Sequence, residues 1–171
     1  MAKAIELTQG YSAIVDDRDY EALSQHKWRA MVVRLGHKKR VYAVRGKRSG
    51  KKKKTILMHR EILRAGPDQS VDHIDGDGCN NRRCNIRACT KSQNQYNRRK
   101  NGGKTTSIYK GVRYCARHNR WRAAAGGKHI GSFSSEAEAA IAYDNYVQKH
   151  WGDYALKNFA ESVDSNAIQL G

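Results

Sequence analysis

VDHIDGDGCNNRRCNIRACTKSQNQYN, residues 71–97, sets Asp72, His73, Asp75 and Asp77 beside a dense run of Asn, Gln and Arg. That mixture suits metal-assisted chemistry on a phosphate rather than core packing. Locally, 71–74 reads as a short strand, the two Asp-Gly pairs of 75–78 as a turn, and 85–88 as the return strand. Thr90 occupies an N-cap position ahead of a helix-forming run that carries Asn94. A hairpin bearing Asp72 and His73, followed by a helix bearing Asn94, can converge a carboxylate and an amide oxygen on one hard cation while His73 faces a substrate.

Three other readings compete for the stretch. An EF-hand loop needs a bidentate Glu at its last position; counted from Asp75 that residue is Ile86 and counted from Asp72 it is Arg83, so this reading fails. Structural zinc sites usually pair cysteines at short spacing. Cys79, Cys84 and Cys89 match no such knuckle, read as small core-filling residues, and no structural zinc is expected. A plain polar turn, with Asp-Gly supplying positive φ, stays open for the carboxylates taken alone.

Charge narrows the partner. Of 171 residues, 33 are Lys or Arg and 16 are Asp or Glu, a formal net charge of +17. The cations are segregated: 38–54 and 78–135 are rich in Lys and Arg and contain no acid. A fold has no need of such segregation, whereas a polyanion does, because phosphate-neutralising Lys and Arg release condensed counterions. A solvated charge run without a partner is the bland alternative. No signal peptide or spanning apolar stretch is present, and the four cysteines suit a reducing compartment, so a soluble cytoplasmic protein without disulfides is expected.

Upstream, 4–15 alternates around Gln9-Gly10 as a two-stranded hairpin, and 16–24 carries a weak short-helix signal. Residues 28–33, 40–45 and 55–58 are further strand candidates. GKRSGKKKK between the last two reads as a loop unable to bury itself, either a disordered tip or a phosphate-tracking arm. A short helix from His59 to Ala65 stops before Gly66-Pro67. His59 at its start is by position alone a structural histidine, with a functional role kept open by the nearby acids.

Downstream, 96–107 is polar, basic and contains Gly102-Gly103, which reads as a linker or a backbone-tracking arm that includes Arg98, Arg99 and Lys100. Beyond it, 108–114, 120–125 and 128–133 form a strand meander. Ser135-Glu136-Ala137-Glu138 is a capping-box pattern opening a helix to about Trp151, with Ala137, Ala140, Ile141, Asp144 and Val147 as its core stripe and Gly152 as its stop.

Several blocks carry a family resemblance. Val-Asp-His-Ile-Asp-Gly-Asp-Gly, Asn-Asn-Arg-Arg, Asn-Ile-Arg and Thr-Lys-Ser-Gln-Asn, spanning about 58–97, resemble the His-Asn-His endonuclease motif in its His-Asn-Asn variant, known from phage and intron-encoded homing endonucleases. The resemblance implies a ββα fold around one divalent metal, Mg²⁺ or Mn²⁺. It makes His73 the general base, Asp72 and Asn94 the metal ligands, Asn85 the brace of the hairpin loop, and His59 an upstream phosphate-contacting or bracing histidine. An imidazole with an ordinary pKa near ~6.5 can take a proton from water at neutral pH. Arg82, Arg83 and Arg87 would position phosphates.

Tyr-Lys-Gly-Val-Arg, the Trp121 block, Ile-Gly-Ser-Phe, Ala-Tyr-Asp and Leu-Lys-Asn-Phe, spanning about 108–159, resemble an AP2 DNA-binding domain. That resemblance implies a three-stranded sheet reading the major groove. The matching positions are Lys110, Gly111, Arg113 and Arg120, with Lys128 and His129 near a second cluster, and Trp121 and Arg122 are further expected DNA contacts. Ala124 and Gly126 stand where plant members carry Glu and Arg, so a target sequence cannot be borrowed.

The expectation is an α+β protein: residues 1–97 as an HNH nuclease domain with a β-rich start, 98–107 as a basic linker, 108–160 as an AP2-like DNA-binding domain, and 161–171 as a tail. The expected partner is double-stranded DNA, with no membrane and no required protein partner, the chain being a monomer or weak dimer. The rival reading is a non-catalytic DNA-binding regulator. A structured-RNA binder would need a base-stacking platform, for which the strand aromatics are too few.

Overall fold

The computed structural model describes residues 1–35, 38–49, 52–100 and 105–159. Among the described residues it is a mixed α and β structure of small antiparallel sheets and four α-helices, divided into two compact units at Asn97/Arg98.

The first unit opens with the hairpin β1 (Ala2–Glu6) and β2 (Ser12–Asp16), then α1 (Asp17–Ser24). A three-stranded sheet follows: β3 (Arg29–Leu35), β4 (Lys38–Ser49) and β5 (Lys52–Leu57), in the order β3-β4-β5. Next come α2 (Met58–Ile62), the hairpin β6 (Ser70–His73) and β7 (Ile86–Cys89), and α3 (Lys91–Tyr96). Alternation along β1 and β2 buries Ile5, Ala13 and Val15, which pack with Leu23, Trp28, Ala43, Met58, Ile62 and Ile86 into one core. The Trp28 indole N–H donates to the Leu23 carbonyl at 2.8 Å, so the core's largest ring has its polar atom satisfied.

In the second unit, β8 (Val112–Cys115), β9 (Arg120–Ala125) and β10 (Lys128–Phe133) form a meander in the order β10-β9-β8. One sheet face is covered by α4 (Glu136–Trp151). The Ser135 hydroxyl accepts from the Glu138 amide at 3.1 Å, and the Glu138 carboxylate accepts from the Ser135 amide at 3.3 Å, closing the expected capping box. Gly152, at φ 54°, ends the helix.

Four expectations need correction. The lysine-rich stretch is not a loop: pairing runs through Ser49 opposite Lys52, and of that stretch Gly50 and Lys51 lie outside the described residues. The α4 stripe is rotated. Ala139, Ala140, Tyr143, Asp144 and Val147 are buried, while Ala137 is exposed and Ile141 is 51% exposed. Tyr143 sets this phase by lying over Gly111, where any Cβ would overlap its ring. Cys84 is exposed, so of the motif's three thiols only Cys89 is buried and Cys79 half-buried. The segment after α3 is more than a spacer, because the Lys100 ammonium donates to the carbonyls of Ser107 and Tyr109, each at 2.7 Å. Gly102-Gly103 and the tail 161–171 lie outside the described residues. Among the described residues no helix is long and apolar enough to cross a membrane.

Candidate active site

Strand β6 delivers Asp72 and His73 as consecutive residues, Asp72 opposite Arg87 and His73 opposite Ile86 on β7. Both side chains are buried. The Arg87 guanidinium donates to Asp72 Oδ2 through Nε at 3.2 Å and Nη2 at 2.9 Å; among the described residues no hydrogen bond reaches Oδ1. Burial of an ion pair is tolerated only with such charge-assisted bonds.

His73 sits in an aromatic corner. The His59 imidazole, brought by the first turn of α2, meets it edge to face at 4.8 Å between centroids, and Tyr42 on β4 lies 6.1 Å from His73 and 6.0 Å from His59. Burial pushes the His73 imidazole below its ordinary pKa, partly opposed by the hydrogen bond to Asn81 and by Asp75, Asp72 and Asp77. Burial, with His73 and Arg60 nearby, pushes His59 down to about 3. Both rings are thus neutral near pH 7, and His59 Nδ1 is the one buried side-chain nitrogen or oxygen without a hydrogen-bond partner among the described residues.

The loop between β6 and β7 is over-determined. Asn85 Oδ1 accepts from the Asp75 amide at 3.1 Å, while its Nδ2 donates to Asp75 Oδ1 at 2.9 Å and to the Asn80 carbonyl at 2.8 Å. Burial raises the Asp75 carboxyl, but the Asp77 amide, Asn80 and Asn85 outweigh it and hold the group below its usual range. Asn81, fully buried, donates to the Cys79 carbonyl at 3.0 Å and presents Oδ1 to His73 Nε2 at 3.4 Å. From outside the motif, Ile14 on β2 bridges the loop, its amide donating to Cys79 O at 2.8 Å and its carbonyl accepting from the Asn81 amide at 2.7 Å. Gly78 has no room for a side chain, since a Cβ would overlap the Val41 carbonyl and the Tyr42 ring. Asn97 at the end of α3 donates to the His73 carbonyl at 3.0 Å.

The structure thus brings His59, His73, Asp72 and Asn85 to one end of the β6–β7 hairpin. Asn94, half-buried in α3, has no side-chain hydrogen bond among the described residues, and α3 packs on β6 and β7. No three His, Cys, Asp or Glu side chains converge among the described residues. Asp72 offers a carboxylate oxygen and Asn94 an amide oxygen, hard donors of the kind a hard divalent cation takes alongside water and substrate oxygens.

The arginines of the motif are internally engaged. Arg82 donates to Asn80 Oδ1 at 3.0 Å, Arg83 forms a two-pronged pair with Asp19 at 2.8 Å, and Arg87 holds Asp72. In the second unit, Arg113, Arg120 and His129 are exposed, Arg122 is half-buried, and the register Arg113↔Arg122 puts these two side by side on the face away from α4. Trp121 instead packs on the helix-side core, Lys128 Nζ lies 5.8 Å from the Tyr146 ring of α4, and Lys110 is half-buried, its ammonium pushed down to about 8 by burial. Arg98 and Arg99 are exposed. Sequence reasoning missed Asn81, Tyr42, Asn97 and Ile14. The Asn80-Asn81 pair was a visible signal, whereas Tyr42 and Ile14 reach the loop only through tertiary packing.

Residues 66–96 match the family model described as HNH endonuclease. The chain is also similar to the AP2-like ethylene-responsive transcription factor PLT2 of Arabidopsis thaliana, 37% identical over 89 residues. That alignment covers 43% of this chain and 16% of the relative, so the chain matches about a sixth of that protein. No solved structure matches.

Proposed function

We propose that the chain is a metal-dependent DNA endonuclease of the HNH type, in which the β6–β7–α3 site hydrolyses a phosphodiester and the β8–β10 sheet, in the manner of an AP2 domain, docks on duplex DNA. The observation that carries the reading is that the stretch matching the HNH endonuclease model holds a buried neutral imidazole, His73, next to a buried carboxylate, Asp72.

The Asn81 amide donates to a backbone carbonyl, so its oxygen faces His73 Nε2 and favours the tautomer with hydrogen on that nitrogen. Nδ1 is then the basic atom. It accepts a proton from the water whose oxygen attacks phosphorus, while the bond to the 3′ oxygen breaks and that oxygen is protonated from solvent. Asp72 Oδ1 and the Asn94 amide oxygen would hold the divalent cation, Mg²⁺ or Mn²⁺, and Arg87 would keep Asp72 oriented for it. When bound, the cation supplies charge stabilisation for the pentacovalent phosphorus and the leaving oxygen.

His59 and Tyr42 wall His73 from bulk solvent on one side and keep it neutral. On the outer face of the second unit's sheet, Arg113, Arg120 and Arg122 would meet phosphates and base edges. Coupling a docking module to a cutter is what a site-selective, homing-type enzyme requires. One such site cuts one strand per visit, so a monomer nicks.

The test separates binding from chemistry. His73→Ala should retain affinity for duplex DNA in a gel-shift assay and lose cleavage; lost binding with retained cutting would refute the assignment.

A further inference from the structure

The ribbon formed by β4 and β5 outruns the core from which it starts. Its base is fixed: Val44, paired with Leu57, is fully buried, and the Arg45 guanidinium is held by Glu61 at 2.9 and 2.6 Å and lies 5.6 Å from the centroid of the Trp28 ring. Beyond it the strands go on pairing, Gly46 with Thr55 and Lys47 with Lys54, while Gly46, Lys47, Arg48, Lys54 and Thr55 are all exposed. A two-stranded ribbon with no covered face is marginal in water. Like charges directly opposite each other weaken it further. Lys47 and Lys54 form such a pair, and among the described residues neither has an acidic partner. Stability gives no reason for this register. A polyanion does, through counterion release, and a two-stranded ribbon matches the width of a major groove.

We infer that the β4–β5 ribbon is a duplex-DNA docking element, separate from the sheet of the second unit, which sets Lys47, Arg48 and Lys54 against backbone phosphates. Its position relative to the cut rests on the endonuclease reading. The same strand carries Tyr42, whose ring lies 6.1 Å from that of His73. Lys47 is five residues further along, about 17 Å at ~3.4 Å per residue. Laid along a duplex that is about half of a ~34 Å turn, which puts the contacted phosphates within about five base pairs of the scissile bond, to one side of it.

The test measures affinity of the full chain for duplex DNA across a salt series in EDTA, with a hydroxyl-radical footprint of the same complexes. Wild type is compared with Lys47→Ser/Lys54→Ser and with Lys54→Glu, which turns the like-charge pair into a cross-strand ion pair and so keeps or raises the thermal midpoint. The double variant is expected to bind on the order of tenfold more weakly, with the slope of log affinity against log salt shallower by about 2. Lys54→Glu should bind more weakly than wild type despite its intact fold, and protection should be lost within about five base pairs of the cut, on one side only. Unchanged affinity and slope in both variants would overturn the proposal, as would a loss seen on RNA and absent on DNA. Wild type that binds duplex DNA but cuts with no cation would sink the endonuclease reading alone, and the slope loss would still support the ribbon's contact.

Discussion

The imidazoles of His59 and His73 meet edge to face, their centroids 4.8 Å apart and their planes at 83°. Two histidines from separate elements are thereby buried against each other, and neither can charge without losing hydration that the fold does not replace. His73, the base of the proposed reaction, is kept neutral at the cost of stability in acid.

That cost has a sign. The folded pKa of His59 lies at about 3, against an ordinary 6.5 when unfolded, and His73 shifts in the same direction. Between those limits the unfolded chain binds the extra proton at His59, so stability is full above pH ~6.5 and falls as pH drops, by up to about 1.4 kcal/mol per pH unit, with His73 acting in the same direction. Urea denaturation followed from pH 7 to pH 5 should show the first unit weakening by up to about 2 kcal/mol from His59 alone. His59→Phe should flatten the profile.

Asp72 and Arg87 are a buried pair, with side chains 8% and 16% exposed. Arg87→Met leaves a buried carboxylate alone and should destabilise by about 3–5 kcal/mol. Adding Asp72→Leu should recover most of that loss in a double-mutant cycle, while the proposed cleavage stays absent because Asp72 is the carboxylate proposed to hold the cation. Chemical denaturation and a nicking assay on the same proteins check both halves.

Asn85 satisfies three partners across the β6–β7 loop. Asn85→Ala strands the Asp75 amide and the buried Asn80 carbonyl and should cost about 2–3 kcal/mol. Asn81→Ala, which removes the oxygen facing His73 Nε2, should reduce the single-turnover cleavage rate more than it reduces DNA affinity. Equal losses in rate and affinity would mean that Asn81 acts only through the fold.

Gly111 has φ +75° and lies beneath the Tyr143 ring. Gly111→Ala combines left-handed strain with overpacking and should lower the stability of the second unit by about 2–5 kcal/mol. A Tyr143→Leu background should relieve part of it, read as a partial recovery of the thermal midpoint.

What sequence could foresee here was local. Thr90 and Ser135 announce their helices because a cap needs only its own first turn, and the β6–β7 hairpin with the helix after it is legible because its parts are consecutive in the chain. What packs from afar was not legible: Ile14 and Tyr42 reach the loop from other sheets, and nothing in their own neighbourhoods marks them. The phase of α4 is not legible from spacing, because alanines occupy several faces and Ala137 is indistinguishable from Ala139; the bulk of Tyr143 decides it. In the lysine-rich ribbon, charge density argues for a loop, whereas cross-strand pairing extends from Val44 past the core.

The most direct measurement is conversion of supercoiled plasmid to open circle by the purified full chain in Mg²⁺ or Mn²⁺, with EDTA and His73→Ala as controls. Open circle formed by wild type with either cation, and by neither control, is the expected result. A plasmid left supercoiled under every cation, or nicked equally well by His73→Ala, would contradict the account.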